Sequence, residues 1–554
     1  MKKALIYLVS ALFLTGCITN DIPFPIVVPH VTSVTVQDAV DVKIDYEQQE
    51  VTVYVSETTD LRRVVIQSVE FDMDIAQPSV KLCGVHDLTS PLKFRIRTYQ
   101  DYDWRIRAVR PVERYFNVQG QVGSSVVDEY NCRAIAQVSR GTDLRNIEVT
   151  AIKLGPREVT TYSPDPYTLR DFRLGAEVKV SAFDETQTWT LFIEETDISV
   201  EISKINPWAT SAYVTVTAVA GREIAFMYRE KGVSEWITAD PESITSDGGT
   251  FVAHIMNLKP ETDYEVMVRS GEEMTPAEEF TTDSAPAIPN GSFEYTSLVT
   301  GSNYYKFYDP SCGVEEGETM FWGSGNGEGP DGVNGSANMG IVITTVDKTD
   351  KVDGKQSVLA QTSQMVGILA AGNLFTGQFA GLVNTEGGKV NFGRPWTSRP
   401  VALRLYCKYS TGPMDIVQGS PAGVTLVKGE TYDRAEIKIA LGCWEYRKYG
   451  GTKDSPVHVD TTDPSTFIDY STDPSTIAYG GLIINNGGYK LSGESAVPAF
   501  TDEWIQYTIP FVYRDLDTRP THIVVSCAAS QYGDYFSGCS SSKLWIDKVE
   551  LLYE

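Results

Sequence analysis

Histidine is scarce in this chain, with five among 554 residues, and no Cys-x-x-Cys pair occurs. Those two shortages exclude the usual tetrahedral zinc sites. Positive charge is also short: 47 Lys and Arg face 73 Asp and Glu, a net charge of -26. An excess of that sign repels phosphate backbones and excludes nucleic acid as a partner. It suits the solubility of an exported protein. No Gly-x-Ser-x-Gly elbow and no His-Glu-x-x-His helix is present, so neither a serine-hydrolase turn nor a zinc-protease helix can be assigned. Long apolar runs are missing beyond the N-terminus. What is plentiful is tyrosine, 29, and glycine, 45. With few amphipathic stretches, that balance points to strands and turns, an all-β chain.

The N-terminus carries the most specific local signal. Lys2 and Lys3 precede an apolar run from Ala4 to Leu14, then Leu14-Thr15-Gly16-Cys17. A charged start, a short apolar stretch and small residues before a cut describe a secretory signal. The run is shorter than the roughly 20 residues of a membrane-spanning helix. Leu, small, Gly, Cys resembles the bacterial lipobox. That resemblance implies removal of residues 1–16 and lipidation at Cys17. Ile18 is not an inner-membrane retention residue, so the implied address is the outer membrane, on its periplasmic face or at the cell surface. Residues 17–30, with three prolines, read as a tether. Seven further cysteines lie in a disulfide-permissive compartment, an odd number. Cys527 and Cys539 flank a short polar stretch and form a candidate pair that spacing alone does not establish.

At roughly 100–200 residues per domain, the length predicts three to five domains. Residues 31–203 contain an internal repeat. Thr59-Asp60-Leu61-Arg62 returns as Thr142-Asp143-Leu144-Arg145, and the alternating strand around Val53 returns around Ala136. A repeat of that size suits two immunoglobulin-like sandwiches, 31–115 and 116–203. Trp104 and Trp189 are expected in their cores. Residues 204–283 resemble a fibronectin type III domain through Ala212-Tyr213-Val214-Thr215-Val216, Trp236 and Leu258-Lys259-Pro260-Glu261-Thr262-Asp263-Tyr264. The resemblance implies that Leu258 and Tyr264 pack inside and that the segment is a connector. Ser284-Ala285-Pro286-Ala287-Ile288-Pro289 is a stiff linker.

Residues 284–554 form one large C-terminal domain. Its ends, Asn290-Gly291-Ser292-Phe293-Glu294 and Leu544-Trp545-Ile546-Asp547, resemble the first and last strands of jelly-roll carbohydrate-binding modules. That resemblance implies a jelly-roll β-sandwich. It also makes Glu294 and Asp547 candidate ligands of a structural calcium, an ion that takes carboxylate and carbonyl oxygens. Phe321-Trp322-Gly323-Ser324, Ala371-Gly372-Asn373-Leu374-Phe375, Phe392-Gly393-Arg394-Pro395-Trp396, Arg399-Pro400, Tyr406-Cys407-Lys408-Tyr409 and Gly533-Asp534-Tyr535-Phe536-Ser537-Gly538-Cys539 occur in order. Together they resemble the putative carbohydrate metabolism domain of Bacteroidetes lipoproteins. Cys539 departs from the Gly or Ser common there, which makes a local disulfide plausible.

A sugar site needs flat aromatic faces and fixed polar groups. Trp322 and Trp396 are the leading candidates because they lie in Gly- and Pro-rich loops, where sites form. Arg394, Arg399 and Tyr409 are the polar and aromatic companions, with Trp444, Trp504 and Tyr406 behind them. Glu315, Glu316, Glu318, Glu328 and Asp331 are acidic loop residues, but none stands out as one of the two carboxylates that glycoside hydrolysis uses. Catalytic residues therefore stay unassigned. The tandem Thr462-Asp463-Pro464-Ser465-Thr466 and Thr472-Asp473-Pro474-Ser475-Thr476 reads as a decorated loop without a role. Three functions follow: a surface lipoprotein binding poly- or oligosaccharide with the other domains as spacers, a glycoside hydrolase, or an adhesin with a protein partner.

Overall fold

The computed structural model describes residues 29–299, 304–308, 320–327 and 334–553, apart from short stretches at 47, 74, 366, 385, 422–423, 486–487 and 492–502. Cys17, the tether, Cys312 and the acidic residues 315, 316, 318, 328 and 331 lie outside the described residues. The chain is a multidomain assembly of β-sandwiches, with short 3-10 turns and one brief helix, Tyr446–Tyr449, among the described residues. No described helix is long and apolar enough to cross a membrane. The chain divides into two compact units. One holds the residues up to Arg114 with Lys153–Tyr162 and Val180–Gln187. The other holds Tyr115–Ile152, Ser163–Lys179 and Thr188–Glu554.

In the first unit, strands Ala39–Asp45, Glu50–Val55, Asp101–Val109, Leu92–Arg97 and Gln77–Pro78 form one sheet, and Val31–Val36, Val64–Phe71 and Gly84–His86 the other. The unusual feature is a parallel pair, Glu50–Tyr54 beside Arg105–Val109. The repeat seen in sequence reproduces it in the second unit, where Arg133–Ser139 runs parallel to Thr190–Thr196. Trp104 and Trp189 are buried in each copy.

Also in the second unit, Val200–Pro207, Ala212–Ala218, Thr250–Ile255 and Ile244–Asp247 face a sheet built on Ile224–Glu230 and Asp263–Ser270. Leu258 and Tyr264 are buried there, and the Tyr264 hydroxyl accepts from Lys259 N at 2.9 Å. The alternating strand Ala212–Ala218 explains this packing. Its even-numbered residues point inward, as period-two apolar patterning requires.

The C-terminal sandwich has a ten-stranded sheet. Its path runs Val457–Asp460, Gly387–Phe392, Asn373–Val383, His522–Ala528, Ala435–Gly442, Thr476–Asn485 and Gly488–Leu491. A five-stranded sheet opposes it: Thr344–Asp347, Ser357–Gln361, Lys543–Leu552, Ala402–Ser410 and Ile505–Pro510. Inward residues of both sheets interleave, Leu403, Leu405 and Cys407 against Ile437, Ile439 and Leu441. Fully burying each such aliphatic chain stabilises by about 1.5–3 kcal/mol. The opening segment is a turn rather than a first strand. It docks on the last strand through Val549 N donating to Gly291 O at 2.8 Å. Gly291 is required because a Cβ there would stand 2.1 Å from Val549 O.

Candidate functional site

The residues singled out from loop context are held in the interior. Trp322 is 1% exposed, its indole N–H donates to Pro289 O at 2.8 Å, and its ring meets Phe293 edge-on at 5.3 Å. Trp396 is buried against Phe321. Neither ring has a free face for a sugar, so the platform expectation is corrected: both rings belong to the core of the sandwich. Tyr409 is buried, its hydroxyl donating to Ala529 O at 2.9 Å. Trp444 is buried with Tyr470, while Trp504 and Tyr406 are partly exposed. Trp504 donates to Asp350 at 2.8 Å.

The two arginines are corrected for the same reason. Arg394 is 1% exposed and donates to Ser455 Oγ, Gly377 O and Phe321 O. Burial pushes its guanidinium down to about 9, so it remains a cation at neutral pH, solvated by oxygens the fold supplies. Arg399 is 2% exposed. It donates to Asn206 Oδ1, Pro207 O, Leu516 O and Asp283 Oδ2 at 2.6–2.9 Å, and lies 4.7 Å over the Trp208 ring. It clamps the third sandwich to the C-terminal one and touches no cleft.

Glu294 and Asp547 do come together, around the turn 352–356. Asp547 accepts from Val352 N, Asp353 N and Lys548 N, and Glu294 accepts from Lys355 N and Gln356 N. Their lone pairs point at amide hydrogens. A calcium ion needs six to eight oxygens that are free to face it, and no group of three His, Cys, Asp or Glu among the described residues could hold a metal. The donor set does not fit calcium. Cys527 and Cys539 are both free thiols, as are Cys83, Cys132, Cys407 and Cys443. Cys527 points into the core, where burial pushes its thiol up to about 12. Cys539 is turned instead toward Asp433, its backbone N–H donating to Oδ2 at 2.8 Å.

A different constellation occupies the open face of the ten-stranded sheet. In Ala435–Gly442 the residues Ile437, Ile439 and Leu441 enter the core, so Glu436 and Lys438 point the other way. Lys438 Nζ stands 3.0 Å from Glu436 Oε2. Burial alone would lower the lysine, but Glu436, Asp534 and Asp469 outweigh it and hold it above its ordinary value. Asp534, in the turn Gly533–Tyr535, is exposed at the surface beside these charges. The half-buried ring of Tyr535 borders the same charges and meets Phe467 edge-on at 5.4 Å.

Two polar atoms there are buried without a hydrogen-bond partner. They are Gln531 Oε1, whose own amide donates to Glu436 at 3.2 Å, and the Tyr470 hydroxyl. Buried polar groups are nearly always satisfied, so such orphans mark a place where a ligand or solvent completes the set. The tandem loop takes part, against expectation. Asp469 faces Lys438, and Asp473 accepts from Trp444 Nε1 at 3.1 Å and Tyr449 OH at 2.7 Å. One signal could have revealed the site: Glu436 and Lys438 alternate with isoleucines inside an otherwise apolar strand.

Beside Asp534 a cavity of about 330 Å³ opens between the Asn373–Val383 and Gly387–Phe392 hairpin and the turns at 336–343 and 533–536. Its walls are mainly aliphatic and aromatic.

No curated protein matches this chain. A crystal structure described as a "putative glycoside hydrolase" from Bacteroides thetaiotaomicron is 18% identical, covers 79% of this chain and 96% of its own, and superposes with a TM-score of 0.29. A second, described in the same words, from Bacteroides vulgatus, is 20% identical, covers 47% and 94%, and has a TM-score of 0.30. Residues 292–552 match the family model described as "Putative carbohydrate metabolism domain".

Proposed function

We propose that the C-terminal sandwich binds a saccharide chain in the cleft around Lys438, Glu436 and Asp534. The observation that carries this reading is the grouping of a bridged charge pair, the Asp534 carboxyl, a half-exposed tyrosine ring and two orphaned polar atoms around one sheet face. Hydroxyl-rich ligands need donors and acceptors at fixed places with an aromatic face beside them. The family match of residues 292–552 supports carbohydrate as the ligand class.

Hydrolysis is the second reading, and one feature favours it. Two carboxyls, Asp534 and the lysine-bridged Glu436, border Lys438, and glycoside hydrolysis uses a pair of carboxyls. The full chain screened on a glycan array, with hits assayed for released reducing sugar, separates the two. Binding without release is expected, and Asp534→Asn weakens it by about tenfold, the effect of one charged hydrogen bond. Release that Asp534→Asn abolishes makes the protein a hydrolase. Silence on all glycans overturns both readings and leaves a protein-binding adhesin.

The lipobox resemblance supports reading the chain as an outer-membrane lipoprotein attached through Cys17. Labelled palmitate incorporation that Cys17→Ser does not remove overturns that anchor.

A further inference from the structure

The cavity beside Asp534 has the wrong surface for an unmodified sugar. Ile341, Ile343, Leu369, Phe379, Leu382 and Val390 are among its walls. A hydroxyl pressed against them loses its water without a partner, which costs on the order of 1–3 kcal/mol for each group. Hydrocarbon is favoured there, at about 0.8 kcal/mol per CH2 buried. At about 330 Å³ the space is roughly twice the ~150 Å³ that accepts benzene in an apolar cavity.

Polar side chains also line the space: Asn373 is engaged by Gly325 N and Ala371 O and Thr461 by Gly388, whereas the Ser336 hydroxyl is not engaged. Ser336, in the turn Ser336–Met339, is 7% exposed, and its hydroxyl has no hydrogen-bond partner. Its backbone is fully engaged, with N donating to Gly325 O at 2.9 Å. A ligand that satisfies this site brings hydrocarbon and an acceptor for the Ser336 hydroxyl. Asp534 lines the cavity and also neighbours Lys438, so one molecule can reach both.

We infer that the ligand is an acylated saccharide, its sugar over the Lys438–Glu436 pair, its acyl chain in the cavity and its carbonyl oxygen accepting from Ser336 Oγ. This inference rests on the saccharide reading of the cleft and narrows it to a substrate class.

Titration calorimetry on the full chain tests it, with probes kept below micelle-forming concentrations. N-octanoylglucosamine is expected to bind at least tenfold tighter than N-acetylglucosamine, since each added CH2 contributes about fourfold until the space is full. Ala370→Trp, which fills the cavity from its wall, erases that difference. Ser336→Ala, which removes a hydroxyl with no partner in the fold, weakens N-octanoylglucosamine about threefold to tenfold and leaves octyl glucoside unchanged. Binding that ignores chain length, with the sugar still bound, overturns the acyl assignment alone. Octanoate binding as tightly as N-octanoylglucosamine overturns the saccharide reading as well.

Discussion

Arg399→Ala is expected to cost about 3–5 kcal/mol of stability, the range for removing one partner of a buried charge pair. The side chain is almost wholly enclosed, and its partner Asp283 is largely so. Truncation removes the donors to Asn206 Oδ1 and Pro207 O, while Leu516 O keeps Asn206 Nδ2. It also removes the cation from the face of Trp208, which packs on Tyr513 at 4.8 Å. Arg519 still reaches Asp283, so the carboxylate is not left alone. Arg399→Lys should recover little, because one ammonium cannot reproduce the planar fork. Urea unfolding followed by tryptophan fluorescence measures the loss. A midpoint within error of the parent would mean that the two sandwiches hold together without this clamp. The third sandwich is therefore a fixed part of the C-terminal unit, not a loose spacer.

Asp433→Ala is expected to cost a similar amount, about 3–5 kcal/mol, from leaving buried donors unmet at 1–3 kcal/mol each. Asp433 is fully buried. Its Oδ2 accepts from Ser530 Oγ at 2.6 Å, Ser542 Oγ at 2.8 Å and Cys539 N at 2.8 Å, and Oδ1 accepts from Arg434 N at 2.9 Å. The segment Ser530–Ser542, which carries Asp534 and Tyr535, is thus gathered on one carboxyl. Gly538 is needed beside it, since a Cβ would lie 2.9 Å from Asp433 Oδ2. Burial raises the acid above its ordinary value, against the pull of these donors. The folded state then holds a proton more tightly than the unfolded one. Its contribution is present below the unfolded pKa, near 4, and is lost as pH rises through the folded value. Asp433→Asn cannot ionise, so the parent should lose stability relative to it as the pH rises above about 4. Urea midpoints that stay parallel across that range would sink this assignment.

The all-β class and several strands were legible and the site was not. Alternation in Ala212–Ala218, the repeated Thr-Asp-Leu-Arg segment and the Leu258–Tyr264 spacing depend on near neighbours, and sequence shows near neighbours. Trp322 and Trp396 misled because a glycine-rich context says only that the backbone turns, not whether the turn is covered. Arg394 and Arg399 take their partners from carbonyls and side chains 17 to 193 residues away, which no local pattern reveals. Glu436 and Lys438 were visible as charges on one face of an apolar strand. Their link to Asp534 and Asp469 appears only when the turn at 533 and the tandem loop fold over the sheet. Asp433 has no signature at all, because three of its four donors, Ser530, Cys539 and Ser542, lie about a hundred residues away.

The claim that the Lys438 cleft is the binding site is tested most directly by one matched titration. The oligosaccharide that binds best on the array is titrated into the full chain and into Lys438→Ala, with thermal midpoints recorded for both. Lys438 is about half exposed, so its loss should leave the midpoint within a degree or two. Affinity is predicted to fall about tenfold or more, as removal of a charged contact does. Unchanged affinity at unchanged stability would contradict the account and place the saccharide elsewhere on the molecule.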